Sequence, residues 1–312
     1  MAHGLAASNP KEMAAIGAVV ADGTPEAFVD TYRSLKVFKS SPYVTASGRV
    51  SAAPVLSDFD DLELGAGDLD ALRRCRPNDS DVKVSGAEAA ALRAIAADPH
   101  VSASQLKGRL SAEFKRILLA RATAYLASGI SGMAAYADKE QAVSPADALL
   151  SLAREQGPAV AACAHLAQLF AGWPGPLPPE TESFLYWAKQ KFGEMKPVIN
   201  LVQVLIHRDG PKTFIVSRQI YSSHYTEAAL SVAELIPFAD EGGLNHTIIT
   251  YTIRFQLDML GGPLGLMKKR MAAPRFLATL KDSLGRMRGT MEGLCDKKRS
   301  ARLTESSASA IR

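Results

Sequence analysis

The fold is decided by residues Pro197–Leu257, which read PVINLVQVLIHRDGPKTFIVSRQIYSSHYTEAALSVAELIPFADEGGLNHTIITYTIRFQL. This stretch contains four runs rich in β-branched residues, at Pro197–His207, Thr213–Tyr225, Ala229–Phe238 and Thr247–Leu257. Asp209-Gly210 separates the first two runs and is a strong hairpin signal, and a second short turn separates the last two. Because short connectors imply antiparallel neighbours, the stretch predicts a four-stranded antiparallel meander.

A long helix is predicted after the meander. Gly261-Gly262-Pro263 ends the last run, and Met267–Cys295 has the length and spacing of one helix. One face of an antiparallel sheet must be covered, and this helix is the obvious cover. Residues 180–296 are therefore predicted to form one unit, in which this helix covers the meander and a cavity lies between helix and sheet. The unit begins with a short helix over Glu180–Phe192.

The rest of the chain predicts helices and connectors. Residues 1–23 read as a flexible lead, and residues 24–172 read as a mainly helical part with short strands near 44–84. The clearest amphipathic stripe lies in Ser104–Ser128. Residues 173–179, WPGPLPP, form the best boundary in the chain, and residues 297–312 read as a disordered basic tail. The predicted class is α+β.

Composition excludes several classes of protein. The chain has 312 residues, of which 47% are hydrophobic and 22% charged, and this is typical of a globular protein. Its three cysteines form no CxxC pair and its six histidines form no HxxxH or HExxH, so we expect no metal and no cofactor. A metal site whose ligands come from distant segments of the chain stays an open alternative. The chain contains no run of 18 apolar residues, so we expect no membrane-spanning helix.

Positive charge is concentrated near the C-terminus. Residues 264–312 carry 12 Lys and Arg against four Asp and Glu. This pattern fits either a solvated helix face with a basic tail or a surface that meets an anionic membrane. We expect no nucleic-acid partner, because nothing here indicates base stacking.

Two segments resemble a family of exported bacterial proteins whose members read LYWSKE-FG-KPVI and KQIYASHYFDASL. Here they read ESFLYWAKQKFGEMKPVI (182–199) and SRQIYSSHYTEAALSVAELI (217–236), followed by GGPLG and a basic helix. The resemblance covers about residues 28–294, implies an exported or periplasmic protein, and supplies no catalytic residues. The family pattern CRPGDCDVKL implies a disulfide, but Ser80 stands where its second cysteine would be. That departure, and the poor signal-peptide core in residues 1–23, weaken the export prediction.

The meander and terminal helix are also similar to START-type helix-grip domains, which enclose hydrophobic ligands. We therefore predict non-enzymatic binding or carriage of a hydrophobic or lipid-like molecule. Arg218, Tyr221, His224 and Arg254 would meet its polar end. The apolar wall would be formed by Tyr186, Trp187, Ile220, Tyr225 and Met267.

Each of these residues also has an ordinary structural interpretation. Arg218, His224 and Arg254 could pair with buried carboxylates, and Tyr186 and Trp187 could pack in the core. On a regular strand Arg218, Ile220 and His224 share one face, whereas Tyr221 and Tyr225 share the other. One alternative function is a hydrolase or cyclase-like enzyme with His224 as general base. Another is a module that docks a protein, or docks an anionic membrane through the basic C-terminal helix and tail.

Overall fold

The computed structural model describes residues 1–35, 41–157, 163–171 and 175–309, with the side chains of 171 and 294–309 excluded. The strands are β1 (Ala2–Gly4), β2 (Glu12–Asp22), β3 (Val44–Val50), β4 (Thr181–Gln190), β5 (Val198–Asp209), β6 (Lys212–Ser222), β7 (Thr226–Ala239) and β8 (Asn245–Leu257). The helices are α1 (Pro25–Arg33), α2 (Ala66–Arg74), α3 (Gly86–Ala96), α4 (Ala103–Ser128), α5 (Pro145–Arg154), α6 (Ala164–Ala171) and α7 (Gly265–Ser309). The class is α+β.

All eight strands of the described residues join one antiparallel sheet, in the order β1-β2-β8-β7-β6-β5-β4-β3. The predicted four-stranded meander was therefore wrong in the size of the sheet. The four quoted runs do form β5 to β8 as adjacent strands. The additional strands come from the N-terminal part of the chain and from residues 181–190.

Residues 1–23 were expected to be a flexible lead, but they contain β1 and β2. β2 pairs with β8 along its whole length, from Glu12 opposite Gln256 to Asp22 opposite His246. Its sequence, EMAAIGAVVAD, is rich in alanine and lacks the alternation of a half-buried strand. The strand forms because β8 supplies its hydrogen bonds and helices cover both faces of the sheet.

The helix predicted over Glu180–Phe192 is also wrong, because Thr181–Gln190 forms β4. Among the residues near 44–84, all of which are described, β3 is the one strand that joins the sheet. Trp173 and Pro174 of the predicted connector lie outside the described residues. The tail expected to be disordered continues α7 to Ser309.

Helices cover both faces of the sheet. α1 and α7 pack on one face around Phe28, Leu280 and Leu284, and we call this the α7 face. Helices α2 to α6 lie between β3 and β4 in the chain and pack on the other face around Phe114, Leu166 and Trp187, which we call the insertion face. The helical part is thus a layer on the sheet. None of the described helices is both long and apolar enough to span a lipid bilayer.

Candidate functional site

A half-open groove lies between α7 and the sheet, and its volume is about 200 Å³. Apolar lining comes from α1, β3, β8 and α7 and consists of Tyr32, Val44, Tyr251, Ile253, Phe276, Leu280 and Met287. Polar lining consists of Ser41, Gln190, Thr279, Ser283, Arg286 and Thr290. An apolar body with a few polar groups is the usual composition of a small-molecule site.

The sheet curves around α7, because strands from distant positions in the sheet line the same groove. β8 supplies Tyr251 and Ile253, whereas β3 and β4 supply Val44 and Gln190. Four strands separate β8 from β3 in the sheet order. In a flat sheet with strands about 4.8 Å apart, β8 and β3 would be about 24 Å apart. The curvature is what leaves space beneath the helix.

Gly17 of β2 sets how closely α7 approaches the sheet. A Cβ atom at this position would lie 2.5 Å from Cδ1 of Leu284, so only glycine lets the helix pack directly on the strand. Leu280, Leu284, Met287 and Met291 follow helical spacing and form the buried stripe of α7. This stripe holds the helix on β2 at one side of the groove.

Three tyrosines lie at and beneath the groove. Tyr32 and Tyr186 are buried and Tyr251 is half-buried. Burial raises the pKa of all three phenols, and the neighbouring Tyr251 adds to this effect on Tyr32 and Tyr186. All three therefore stay neutral at physiological pH, and the two that line the groove, Tyr32 and Tyr251, bring no charge to it.

Arg286 is the cationic group at the mouth of the groove. Its Nη2 donates to Oγ of Ser283 at 3.1 Å, and its guanidinium lies 5.6 Å from the ring centroid of Tyr43. Within the part of the chain that the structure describes, no carboxylate lies within 4.0 Å of Arg286. The mouth therefore favours an anionic group.

The predicted site residues are divided between the two faces of the sheet. Tyr186 lies on the α7 face, close to the groove. Tyr221 and Trp187 belong to the core of the insertion face, and the indole of Trp187 donates to the carbonyl of Asp58 at 2.8 Å. Arg218 and Arg254 also point to that side. Met267 is 53% exposed near the start of α7 and lines no part of the groove.

A β-bulge explains why Tyr221 shares a face with Arg218. Leu201 pairs with Tyr221, and the next residue, Val202, pairs with Gln219, so Ile220 is the extra residue in β6. An extra residue reverses the alternation of every side chain that follows it. The expected separation of Arg218 and Tyr221 was wrong for this reason. Tyr221 instead packs against Tyr136, with ring centroids 6.2 Å apart.

Arg218 is buried against α6. Its Nη2 donates to the carbonyl of Leu169 at 2.6 Å, and burial lowers its pKa. Its Nε and Nη1 have no hydrogen-bond partner among the described residues. Arg254, by contrast, has the ordinary structural role: it donates to the buried carboxylate of Glu12 at 2.6 Å. That partner is on β2, in the part of the chain that was expected to be a flexible lead.

His224 is held by backbone and has no catalytic partner among the described residues. Its Nδ1 lies 2.7 Å from the carbonyl of Asp81, and burial lowers its pKa. Ser222 donates its hydroxyl to the His224 carbonyl, and the Ser223 hydroxyl accepts from the backbone of Ile199. Tyr225 has a positive φ of 60°, and its hydroxyl accepts from the backbone of Lys196. This geometry does not favour a general-base role for His224.

Two groups of candidate functional side chains, one in the groove and one elsewhere, could have been found from the sequence. Phe276, Leu280, Ser283 and Arg286 are spaced three or four residues apart, so a helical projection places Arg286 at the edge of the apolar stripe. A group of metal-ligating side chains lies elsewhere, on the insertion face, at Cys163, His165 and His207. Cys163-Ala164-His165 is a CxH pair, a spacing outside the patterns first considered.

Ser80 lies beside Cys75, as the resemblance implies for the matching positions. The hydroxyl of Ser80 donates to Sγ of Cys75 at 3.1 Å.

A scan of the chain against protein-family models finds no match, and neither does a search of curated proteins. The family resemblance therefore stays a prediction, and the function is argued from the site.

Proposed function

We propose that the protein binds a small molecule with an apolar body and an anionic end in the groove beneath α7, without catalysing a reaction. Arg286 carries the proposal: it is a cation at the mouth of an apolar groove, and no carboxylate of the described residues neutralises it. A ligand anion would supply the missing partner. The side chains of Tyr32 and Tyr251 line the groove and, being neutral, do not repel the anion.

The size of the groove limits the ligand. Sites for drug-sized molecules usually measure roughly 300–1,000 Å³. A groove of about 200 Å³ instead suits a short acyl chain or a single ring system. A medium-chain carboxylate has this combination of apolar length and one terminal charge, whereas a two-chain phospholipid is too large to be enclosed.

Binding of decanoate, compared with the uncharged decanol, tests the proposal. We expect decanoate to bind more tightly in isothermal titration calorimetry, because only decanoate pairs with Arg286. The variant Arg286→Gln should weaken decanoate binding about tenfold, the lower end expected for one partly exposed charge-assisted hydrogen bond. Decanol binding should change little. Leu280→Trp, which fills the groove, should weaken both ligands.

Arg288→Gln is the matched control. Arg288 is two residues further along α7, is exposed, and is already paired with Glu292 at 2.6 Å. We expect this variant to bind decanoate as the wild type does. Equal losses from Arg286→Gln and Arg288→Gln, or no binding of decanoate by the wild type, would contradict the proposal.

A second function, attachment to an anionic lipid surface, is favoured by the start of α7. Met267 and Met271 are 53% and 70% exposed and lie four residues apart on one face of α7, and Leu264, just before the helix, is 57% exposed. The same turns carry Lys268, Lys269 and Arg270. Exposed apolar side chains next to basic ones are typical of helices that lie in a membrane interface.

Co-sedimentation with vesicles tests this second function. We expect binding to phosphatidylcholine vesicles that contain phosphatidylglycerol, weak binding to phosphatidylcholine alone, and a loss of binding at high salt. The double variant Met267→Ser, Met271→Ser should reduce binding at least tenfold, because two apolar side chains no longer enter the interface. Leu244→Ser is the control, since Leu244 is 52% exposed but lies in the turn between β7 and β8. Unchanged binding by the double variant would exclude this attachment.

A further inference from the structure

Three metal-ligating side chains converge on the insertion face, away from the groove. Cys163 and His165 lie at the start of α6, and His207 lies near the end of β5. Their sulfur and nitrogen atoms all lie within 4.8 Å of one another. Ligand atoms of a filled tetrahedral zinc site are roughly 3.3–3.6 Å apart, so a closure of about 1 Å would complete the geometry.

His207 presents one ring nitrogen to this cluster. The residue is 1% exposed, and its Nδ1 lies 2.9 Å from Oγ1 of Thr181 on the adjacent strand β4. Its Nε2 is buried and has no hydrogen-bond partner among the described residues. A buried polar atom without a partner is destabilising, so Nε2 indicates a missing ligand. Thr181 is placed as the groups that orient metal-binding histidines usually are.

The neighbours of His207 complete the set of donors. Cys163 is 3% exposed, and the nearby carboxylate of Asp209 adds to the effect of burial in raising the pKa of its thiol. His165 is exposed, and its ring is 5.0 Å from that of His207. Asp209 follows His207 by two residues on the same strand, so both side chains point to the same face of the sheet. Because His165 is exposed, one position of the site faces solvent, and an ion can enter the site from there.

We propose that Cys163, His165 and His207 bind a zinc ion. The exposed carboxylate of Asp209, which lies outside this close group, would turn in as the fourth ligand. One sulfur, two imidazole nitrogens and one carboxylate suit Zn²⁺ and do not suit Mg²⁺ or Ca²⁺, which prefer oxygen ligands. The ion would join α6 to β5 and so fasten the helical layer to the sheet. This site is independent of the groove, because it lies on the opposite face.

The protonation states fit this assignment. Burial lowers the pKa of His207, and the nearby His165 adds to the effect, so the imidazole is neutral and able to bind metal. Burial raises the pKa of the Cys163 thiol. The thiol must therefore lose its proton to solvent as the Zn–S bond forms, and one proton is released at Cys163 for each ion bound.

Cobalt(II) titration of the chelator-treated full-length protein tests the site. We expect each chain to bind one Co²⁺ and to show visible absorption bands with the intensity typical of tetrahedral cobalt. A sulfur-to-cobalt charge-transfer band should appear in the near ultraviolet, and added Zn²⁺ should remove it by displacing the cobalt. Cys163→Ser should abolish the charge-transfer band. His207→Gln should weaken Zn²⁺ binding at least a hundredfold, and Asp209→Asn should do so to a smaller extent. Zn²⁺ should raise the melting temperature of the wild type but not of His207→Gln.

Cys75→Ser and Cys295→Ser are the controls for the sulfur ligand. Cys75 is buried but is hydrogen-bonded to Ser80, and both variants should keep the charge-transfer band. The proposal is overturned if the wild type shows no such band, or if the band survives in Cys163→Ser. It is also overturned if Zn²⁺ raises the melting temperature of wild type and His207→Gln equally.

Discussion

At the scale of single residues, surroundings decide what each histidine can do. His207 and His224 are buried, and burial lowers the pKa of both. His246 is different, because its Nδ1 lies 3.0 Å from the carboxylate of Asp22 and its Nε2 lies 3.2 Å from that of Asp240. These two carboxylates raise the pKa of His246, with Asp240 as the larger cause. When it is protonated, the imidazole thus forms ion pairs that join the end of β2 to the segment after β7.

This arrangement predicts a pH-dependent contribution to stability. The folded-state pKa of His246 is raised, so its contribution is fully present below the unfolded pKa of about 6.5 and is lost as pH rises through the folded pKa. His207 and His224 act in the opposite direction, since their neutral forms are favoured in the folded state. The difference in unfolding free energy between wild type and His246→Gln should therefore be larger at pH 5.5 than at pH 8.5 in urea denaturation.

His100→Gln is the matched control for this measurement. His100 is exposed in the loop before α4, and its backbone N–H bonds to Asp98. We expect its effect to be the same at both pH values. A stability difference for His246→Gln that did not change with pH would show that the two carboxylates do not hold a charged imidazole.

Single residues also mark where sequence reasoning reached its limit. The polar and aromatic character of Arg218 to Tyr225 is visible in the sequence, but the bulge at Ile220 has no signal in the residues themselves. Pairing with Leu201 and Val202 on the neighbouring strand creates it. Likewise, the partner of Arg254 is Glu12, more than 240 residues away, and no local pattern connects the two.

At the scale of elements, β4 shows why a strand was mistaken for a helix. Its sequence TESFLYWAKQ places Phe184 and Tyr186 on the α7 face and Leu185 and Trp187 on the insertion face. A strand covered on both faces shows a continuous apolar run instead of alternation, and such a run cannot be told from a buried helix segment by period alone. The aromatic content of β4 was the better guide.

The contact between β2 and α7 gives a prediction at the same scale. Gly17→Ala would bring a methyl group to 2.5 Å from Leu284 and to 3.0 Å from the carbonyl of Met1. We expect a loss of about 1–3 kcal/mol in unfolding free energy, because the helix must move away from the strand. Urea denaturation measures this loss.

Gly289→Ala provides the comparison. A Cβ atom there meets nothing within 4 Å, so this change should stabilise α7 by up to about 1 kcal/mol through helix propensity. Truncation of the clashing side chain, Leu284→Ala, should cost less in the Gly17→Ala background than alone, since the two changes share one contact. Wild-type stability of Gly17→Ala would show that α7 is not fixed on β2 at this point.

At the scale of the whole molecule, the sequence predicts the class and part of the sheet but not the layers. The hairpin signals around Gly210 and Gly243 are local, so β5 to β8 could be read directly. The insertion of α2 to α6 between β3 and β4 could not, because composition alone does not distinguish a helical layer on a sheet from a separate helical domain. A cavity was expected under the terminal helix, with the strand residues Arg218 and Arg254 as its cations. In the structure the cation that lines the groove is Arg286, which lies on α7 itself.

The pairing of β2 with β8 has a consequence for how the chain is made. Glu12 emerges from the ribosome long before Gln256, its opposite residue, and the two are 244 positions apart. During synthesis β2 must therefore wait beside β1 alone, with its other edge unpaired, until β8 has been made. Closing so long a loop is slow, and exposed strand edges promote aggregation in the interval. The completion of β8, the last strand among the described residues, thus limits when this sheet can close.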